Sequence, residues 1–135
     1  MVAILLFDAS PGDSARLRAI SSGIGDIRTV TATGIPEALS RLEQGDIDLI
    51  LGLSGPGETG PVRLLEAIRS SGKGIPFILL GDRSDPDTRG DAYAHGADLV
   101  LDRLPDSTEA WAGFGKTIRA RAGRWRREER LRLEQ

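Results

Sequence analysis

Few residues of a reactive type stand where a fold would bring them together, and most of these follow short apolar runs. Asp8 directly follows the first such run, a glycine-rich stretch from residue 52 to 60 ends the third, and Arg103 follows the fifth. A carboxylate can help to hold a divalent cation, and an arginine can bind a phosphate or a carboxylate. The chain has no cysteine, its one histidine is His95, and Ser54 has no evident neighbouring base. These residues favour binding over catalysis, because a nucleophile needs a base within reach.

The stretch from Gly52 to Gly60 contains four glycines in nine residues. Glycine lets backbone N–H groups approach an anion closely, and Ser54, Gly55 and Gly57 form the centre of such a possible anion loop. The stretch lacks the Gly-Lys-Ser/Thr ending of a phosphate-binding P-loop and does not follow the G-x-G-x-x-G pattern. A flexible loop beside an empty site is the favoured interpretation, and a site for a small anion is the alternative.

Five short apolar runs at regular intervals predict β-strands, and the segments between them have helical spacing. The strands are predicted at Val2–Phe7, Ile27–Thr31, Ile47–Leu53, Ile75–Leu80 and Asp98–Asp102. Helix starts are indicated by Ser10-Pro11 and by Pro36, Pro61, Pro86 and Asp106, and helix ends by Gly25, Gly45, Gly72 and Gly96. Five βα units predict a three-layer α/β/α sandwich whose parallel sheet has the flavodoxin-like order 2-1-3-4-5. In that fold, ligands bind at the carboxyl ends of strands 1 and 3.

Several segments also carry a family resemblance, in their order and in their spacing. The segments are Ile4-Leu5-Leu6-Phe7-Asp8 with Pro11, Asp48-Leu49-Ile50-Leu51 with Pro56-Gly57 and Gly60, Ile75–Leu80, and Ala94-His95-Gly96-Ala97-Asp98 with Pro105. Together they resemble the receiver (CheY-like) domain of response regulators across residues 1–118. The resemblance implies the same fold and a role in two-component signal transduction. The absence of cysteine fits a reducing compartment, so we expect a cytoplasmic location.

The resemblance also implies a phosphoryl-accepting pocket, and here the sequence departs from the family. The family uses two acids after the first strand to help hold Mg²⁺; Asp8 matches the first, but Ala9 stands in place of the second. The acceptor aspartate at the end of the third strand is replaced by Gly52 when counted back from the following proline, or by Leu53 when counted forward from Asp48. Neither residue can be phosphorylated. Asp8 is therefore the only remaining metal candidate, and we expect no metal and no cofactor.

The other positions of that pocket differ as well. Gly81 stands where the family has a hydroxyl side chain, and Arg103 stands where it has a lysine. Val100 aligns with the family's switch aromatic on the fifth strand. The resemblance therefore implies the fold of a receiver but a degenerate pocket without the residues that accept and report a phosphoryl group. An internal ion pair of Arg103 with Asp8 or Asp82 is the favoured interpretation of that arginine, and anion binding is the alternative.

The C-terminal segment reads as one continuous helix that continues past the last strand. Trp111, Phe114, Ile118 and Trp125 share one face of it, which predicts an interaction helix whose first part covers the sheet and whose end has no core to enter. Residues 116–135 carry eight basic and three acidic side chains, so this part is at +5 and the remainder at −7 of the total charge of −2. The interleaved glutamates and the acidic body make nucleic acid an unexpected partner. No apolar run is long enough to span a membrane.

These observations predict a receiver-like domain over residues 1–118 and a basic helical extension over 119–135 that leads to a downstream domain. We expect a non-phosphorylatable signalling module that acts by protein contact or by dimerisation through the C-terminal helix. It would be the N-terminal part of a larger histidine kinase, PAS or GGDEF-type protein. Two alternatives are a small-molecule or anion sensor that uses the glycine-rich crevice, and an atypical response regulator phosphorylated elsewhere, for instance on Asp82 or Ser54.

Overall fold

The computed structural model describes residues 2–7, 27–53, 60–80, 86–101 and 108–133. The strands are β1 (Val2–Phe7), β2 (Ile27–Ala32), β3 (Leu49–Leu53), β4 (Phe77–Leu80) and β5 (Leu99–Leu101). The helices within the described residues are α1 (Ile35–Glu43), α2 (Gly60–Ser70), α3 (Pro86–Ala94) and α4 (Thr108–Leu133). The helix predicted to start at Ser10 and end at Gly25 lies outside these residues.

All five strands form one parallel sheet of order β2-β1-β3-β4-β5, which confirms the predicted topology. In the ladder, Phe7 pairs with Gly52, and Gly52 pairs with Leu79. At the other end of β1, Val2 pairs with Ile27. The strands therefore all end along one edge of the sheet, which we call the carboxyl edge, and all begin along the opposite one, the amino edge.

Apolar side chains alternate between the two faces of the sheet and form two core clusters. Because both faces are covered, β1, β3 and β4 are buried along their whole length. The first cluster joins one face of the sheet to the helices α1, α2 and α3, and its members include Ala3, Leu5, Phe7, Ala38, Leu42, Ile50, Leu64, Leu65, Ile68, Phe77, Leu79 and Ala92. The second joins the other face to α4, and its members include Ile4, Leu6, Leu49, Leu51, Leu53, Ile78, Leu80, Phe114, Ile118 and Ala122.

Local signals in the sequence explain where the helices begin and end, as α1 shows. Pro36 occupies the first turn of α1, where its missing N–H costs nothing. The Thr33 N–H donates to Glu37 Oε2 at 3.3 Å, so a side chain from the first turn satisfies the backbone ahead of the helix. After the helix, Gly45 has φ +79°, a left-handed conformation that glycine adopts without strain. None of the described helices is both long and apolar enough to cross a membrane.

Candidate functional site

Gly52 lies near the carboxyl end of β3, between Phe7 of β1 and Leu79 of β4. A Cβ atom at this position would come within 3.0 Å of Phe77 Cζ and 3.1 Å of Pro61 Cβ. Phe77 and Pro61 are both fully buried, so neither can move aside into solvent. Gly52 is therefore a close-packing position, and the backbone of β3 touches the core where the receiver family would place a reactive side chain.

Leu53, the alternative match to the acceptor position, is the last residue of β3 and is also buried. Its side chain belongs to the second core cluster, on the face of the sheet that α4 covers. Gly52 and Leu53 thus face opposite sides of the sheet, and both are used for packing. Neither supplies a nucleophile at this edge.

The remaining predicted pocket residues, Asp8, Ala9, Gly81 and Arg103, lie outside the described residues. The predicted anion loop of Ser54, Gly55 and Gly57 lies outside them too. Within the part of the chain that the structure describes, no three His, Asp or Glu side chains are grouped so that they could hold a metal ion.

Val100, at the family's switch position, is a partly buried residue of β5 that packs against the first core cluster. Its N–H donates to the hydroxyl oxygen of Tyr93 at 3.2 Å. Tyr93 belongs to α3, and 48% of it is exposed. An aromatic side chain therefore lies beside β5 after all, but it comes from the preceding helix and satisfies the backbone of an edge strand.

The best-defined polar geometry lies at the amino edge, where two aspartates repeat one arrangement. Asp48 directly precedes β3; its N–H donates to the Ala3 carbonyl and its Oδ2 accepts the Ala3 N–H, both at 2.8 Å. Asp98 directly precedes β5; its N–H donates to the Phe77 carbonyl at 2.9 Å and its Oδ2 accepts the Phe77 N–H at 2.7 Å. Each aspartate thus adds a side-chain bond to the ladder where a parallel strand begins, and so helps to set the register.

Each of these carboxylates also binds an arginine from a helix. Arg126 of α4 donates from Nε to Asp48 Oδ1 at 2.5 Å and from its terminal nitrogen Nη2 to Asp48 Oδ2. This bidentate geometry is the strong form of an arginine–carboxylate pair. Asp48 is only 6% exposed and is the one buried charged residue among those described, so its cation compensates a carboxylate that water does not solvate well.

Arg69 of α2 pairs with Asp98 Oδ2 at 3.3 Å and also donates to three backbone carbonyls. The acceptors are Gly96 O at 3.0 Å, Lys73 O at 3.0 Å and Ile75 O at 2.8 Å. Burial lowers the pKa of Arg69, and the charge of Asp98 opposes that effect more weakly. The guanidinium therefore ties α2 to the segments that precede β4 and β5.

The C-terminal helix α4 is continuous over 26 residues, and its far part contacts the domain. Phe114, Ile118 and Ala122 are buried against the sheet. Trp125, which we expected to find no core, is partly buried against the first cluster, on the opposite side of the sheet from the rest of the helix. A Cβ on Gly74 would lie 3.7 Å from Trp125 Cζ3. The helix therefore passes the amino edge, and Trp125 reaches around it. The Trp111 side chain lies outside the part of the chain that the structure describes.

Between the end of α4 and the amino edge lies an open cavity of about 650 Å³. The sheet side contributes Ala3, Arg28 and residues 45–48, and α4 contributes Trp125, Arg126, Glu129, Arg130 and Leu133. Asp46 on the rim forms ion pairs with two arginines: its Oδ2 lies 2.7 Å from Arg41 Nη2 and 3.4 Å from Arg28 Nη2. The cavity is thus lined by charged and apolar groups together, at the edge opposite to the one where the sequence predicted a site.

Sequence reasoning missed the amino-edge carboxylates and their arginines. The signal was present, because an aspartate directly precedes a leucine-rich strand twice, at Asp48-Leu49 and at Asp98-Leu99. Nothing comparable marks Arg126, which is one of eight basic residues in the last twenty. Its partner is 78 positions away in the chain, and only the fold shows the pair.

The sheet order, the helices on both faces and the long final helix together define the fold of response-regulator receiver domains, and solved structures agree. A response regulator receiver domain protein from Clostridium thermocellum superposes with a TM-score of 0.70 at 21% identity, covering 92% of this chain and 96% of the other. The response regulator TrrA from Thermotoga maritima, in complex with Mg²⁺ and BeF, gives 0.66 at 26% identity, with 86% and 98% covered.

A longer protein contains the same fold as one part. NtrX from Brucella abortus, in complex with ADP, matches 98% of this chain with a TM-score of 0.75 and 20% identity, and the match covers 29% of NtrX. No protein-family model matches the chain, and no curated protein matches it. The likeness to these structures therefore establishes the fold.

Proposed function

We propose that this protein is a receiver-like signalling module that works by protein contact and does not accept a phosphoryl group. The observation that carries the proposal is Gly52, where a Cβ atom would meet Phe77 and Pro61 at 3.0 and 3.1 Å, closer than most Cβ contacts in proteins. Its alternative, Leu53, is a buried apolar residue. Formation of an aspartyl phosphate needs a carboxylate nucleophile, and neither position has one. The receiver fold with this substitution supports a role in two-component signalling in which the domain is an interaction partner.

We further propose that the module serves a larger signalling protein, such as a histidine kinase, a PAS protein or a GGDEF-type protein. Support comes from NtrX, in which the matching fold occupies 29% of a longer chain. The linked domain would receive the signal through contacts with the module, since the domain's own trigger chemistry is missing.

The test of the first proposal is incubation of the full chain with a small phosphodonor such as acetyl phosphate and Mg²⁺, followed by intact-mass measurement. We expect no mass gain over a sample without the donor, under conditions that phosphorylate an ordinary receiver run in parallel. A gain would contradict the proposal. Asp82→Asn and Ser54→Ala would then locate the group, because the variant that lacks the modified residue would show no mass gain.

The contact that the module makes is proposed to be with a different protein or a linked domain, and not with a second copy through α4. The apolar face of α4 is used on the domain itself, with Phe114, Ile118 and Ala122 buried. Among the described side chains of this helix, two leucines remain exposed, Leu131 at 60% and Leu133 at 77%. The area that two leucine side chains can bury is far below the roughly 800 Å² per partner that a stable interface buries.

Light scattering over a concentration series therefore should give the mass of one chain throughout. Leu131→Glu is the matched variant, because it removes one of the two exposed leucines without touching the buried face. A mass that rises toward two chains in the wild type and stays at one chain in Leu131→Glu would restore dimerisation through α4.

A further inference from the structure

The end of α4 contacts the domain in an uneven way. Up to Ala122 the helix packs on the sheet, and Trp125 and Arg126 then bind at the amino edge. Beyond Arg126, the helix faces the sheet edge across the cavity of about 650 Å³. The last turns are therefore held near one point, and the space beneath them is not filled by side chains.

We propose that residues 123–133 are a detachable strap, docked on the amino edge by the Asp48–Arg126 pair and able to swing away from it. The strap is a conformational device that goes beyond the proposed function and does not depend on the absence of phosphorylation. The docked state is the one described here. The released state keeps the sheet and the first part of α4 intact and uncovers Trp125 and the cavity wall.

Asp48 and Arg126 differ in how firmly each is held, and this difference lets the strap leave without disturbing the sheet. Asp48 is fixed to the sheet, because its own N–H and its Oδ2 are both bonded to Ala3. The Arg126 side chain is 45% exposed, so water reaches the guanidinium when it leaves. Arginine can therefore depart while the carboxylate keeps its backbone bond.

A glycine in α4 lies at the point where the strap would separate from the packed part of the helix. Gly123 lies between Ala122, the last residue buried on the second cluster, and Trp125. Glycine is the weakest ordinary helix former, at about 1 kcal/mol below alanine, so Gly123 lowers the intrinsic stability of the helix at this joint. The other glycines of α4, Gly113 and Gly115, flank Phe114 in the part that packs on the sheet. The strap carries five arginines and two glutamates, and all five arginines are exposed in the docked state.

A molecule that binds the docked or the released state more tightly shifts the equilibrium of the strap toward that state. A partner that binds Trp125 and the face of the strap turned toward the cavity would favour release, and a molecule that bridges the cavity would favour docking. Docking at the amino edge would thus be the point at which this fold passes a contact signal to its C-terminal end.

The test is hydrogen–deuterium exchange of the full chain, compared between the wild type and Asp48→Asn. We expect the amides of 123–133 to exchange at least about tenfold faster in Asp48→Asn, with residues 108–118 and the strands unchanged. Asp46→Asn is the matched control two positions away, since its ion pairs lie on the surface and do not involve the strap. Asp98→Asn is the second control, because it neutralises the equivalent sheet-edge carboxylate, whose partners Phe77 and Arg69 belong to elements other than α4.

Arg126→Gln reaches the same released state without altering the sheet, and Arg127→Gln is its neighbour on the helix. Faster exchange confined to the strap in Asp48→Asn and Arg126→Gln, and absent from the three controls, supports the proposal. Unchanged exchange in the strap of Arg126→Gln overturns it. Exchange that rises equally in strap and strands in both variants also overturns it, because the pair would then hold the whole domain together and not a separable segment.

Discussion

Replacing Gly52 with aspartate is expected to destabilise the domain by about 2–4 kcal/mol and to leave it unable to accept a phosphoryl group. The steric part alone is of the order that overpacking a core costs, roughly 1–3 kcal/mol, because the new Cβ meets Phe77 and Pro61 at 3.0 and 3.1 Å. A carboxylate forced against Phe77 adds the cost of desolvating a charge. Urea unfolding of the variant measures the first effect, and intact mass after incubation with a phosphodonor measures the second.

Two further glycine variants separate packing from charge. Gly52→Ala carries the steric cost without the carboxylate and should lose about 1–3 kcal/mol. Gly113→Ala is the control, because nothing lies within 4 Å of a Cβ at that position in α4, and it should gain up to about 1 kcal/mol from helix propensity. A Gly52→Ala protein as stable as the wild type would show that Phe77 can move and that position 52 can hold a side chain.

Arg69→Met is expected to lower the free energy of unfolding by about 2–4 kcal/mol, since it leaves a carboxylate and three carbonyls without their donor. The side chains of Arg69 and Asp98 are 22% and 33% exposed, so water compensates only part of the loss. Methionine keeps most of the aliphatic length, which limits the effect to the lost hydrogen bonds and charge. Thermal or urea unfolding gives the difference directly.

Arg63→Met in the same helix is the control for Arg69, because Arg63 is exposed. It should change the free energy of unfolding by less than about 0.5 kcal/mol. Equal losses in the two variants would mean that the effect comes from helix α2 and not from the bonds that Arg69 makes across the amino edge.

The fold could be predicted from the sequence because its signals are local and repeated. Five apolar runs separated by helical segments predict five parallel strands, and right-handed crossovers allow only a few arrangements of them. The predicted strand order was among these and is confirmed. The predicted strands from Ile47 and Ile75 were each two residues too long at their start. Hydrophobicity marks burial, and both isoleucines are buried, but the backbone ladder begins only at Leu49 and Phe77.

The candidate site was less predictable, because its parts are distant in sequence. The sequence shows that Gly52 cannot act as a nucleophile. It does not show how tightly the position is packed, because Phe77 and Pro61 lie on other elements. The end of α4 was read as a segment without a core because it runs past the last strand. The pattern of one helix could not show that Trp125 reaches Gly74 or that Arg126 meets Asp48.

The paired aspartates also place the alignment of the strands away from the edge where receiver domains carry their reactive residues. Asp48 and Asp98 align β1 with β3 and β4 with β5 from the end of the sheet where the strands start. The residues that phosphoryl chemistry requires belong to the end where the strands finish. The bonds that align the strands thus lie at the amino edge, and the reactive positions lie at the carboxyl edge. Changes at the carboxyl edge are therefore expected to leave the alignment of the strands intact.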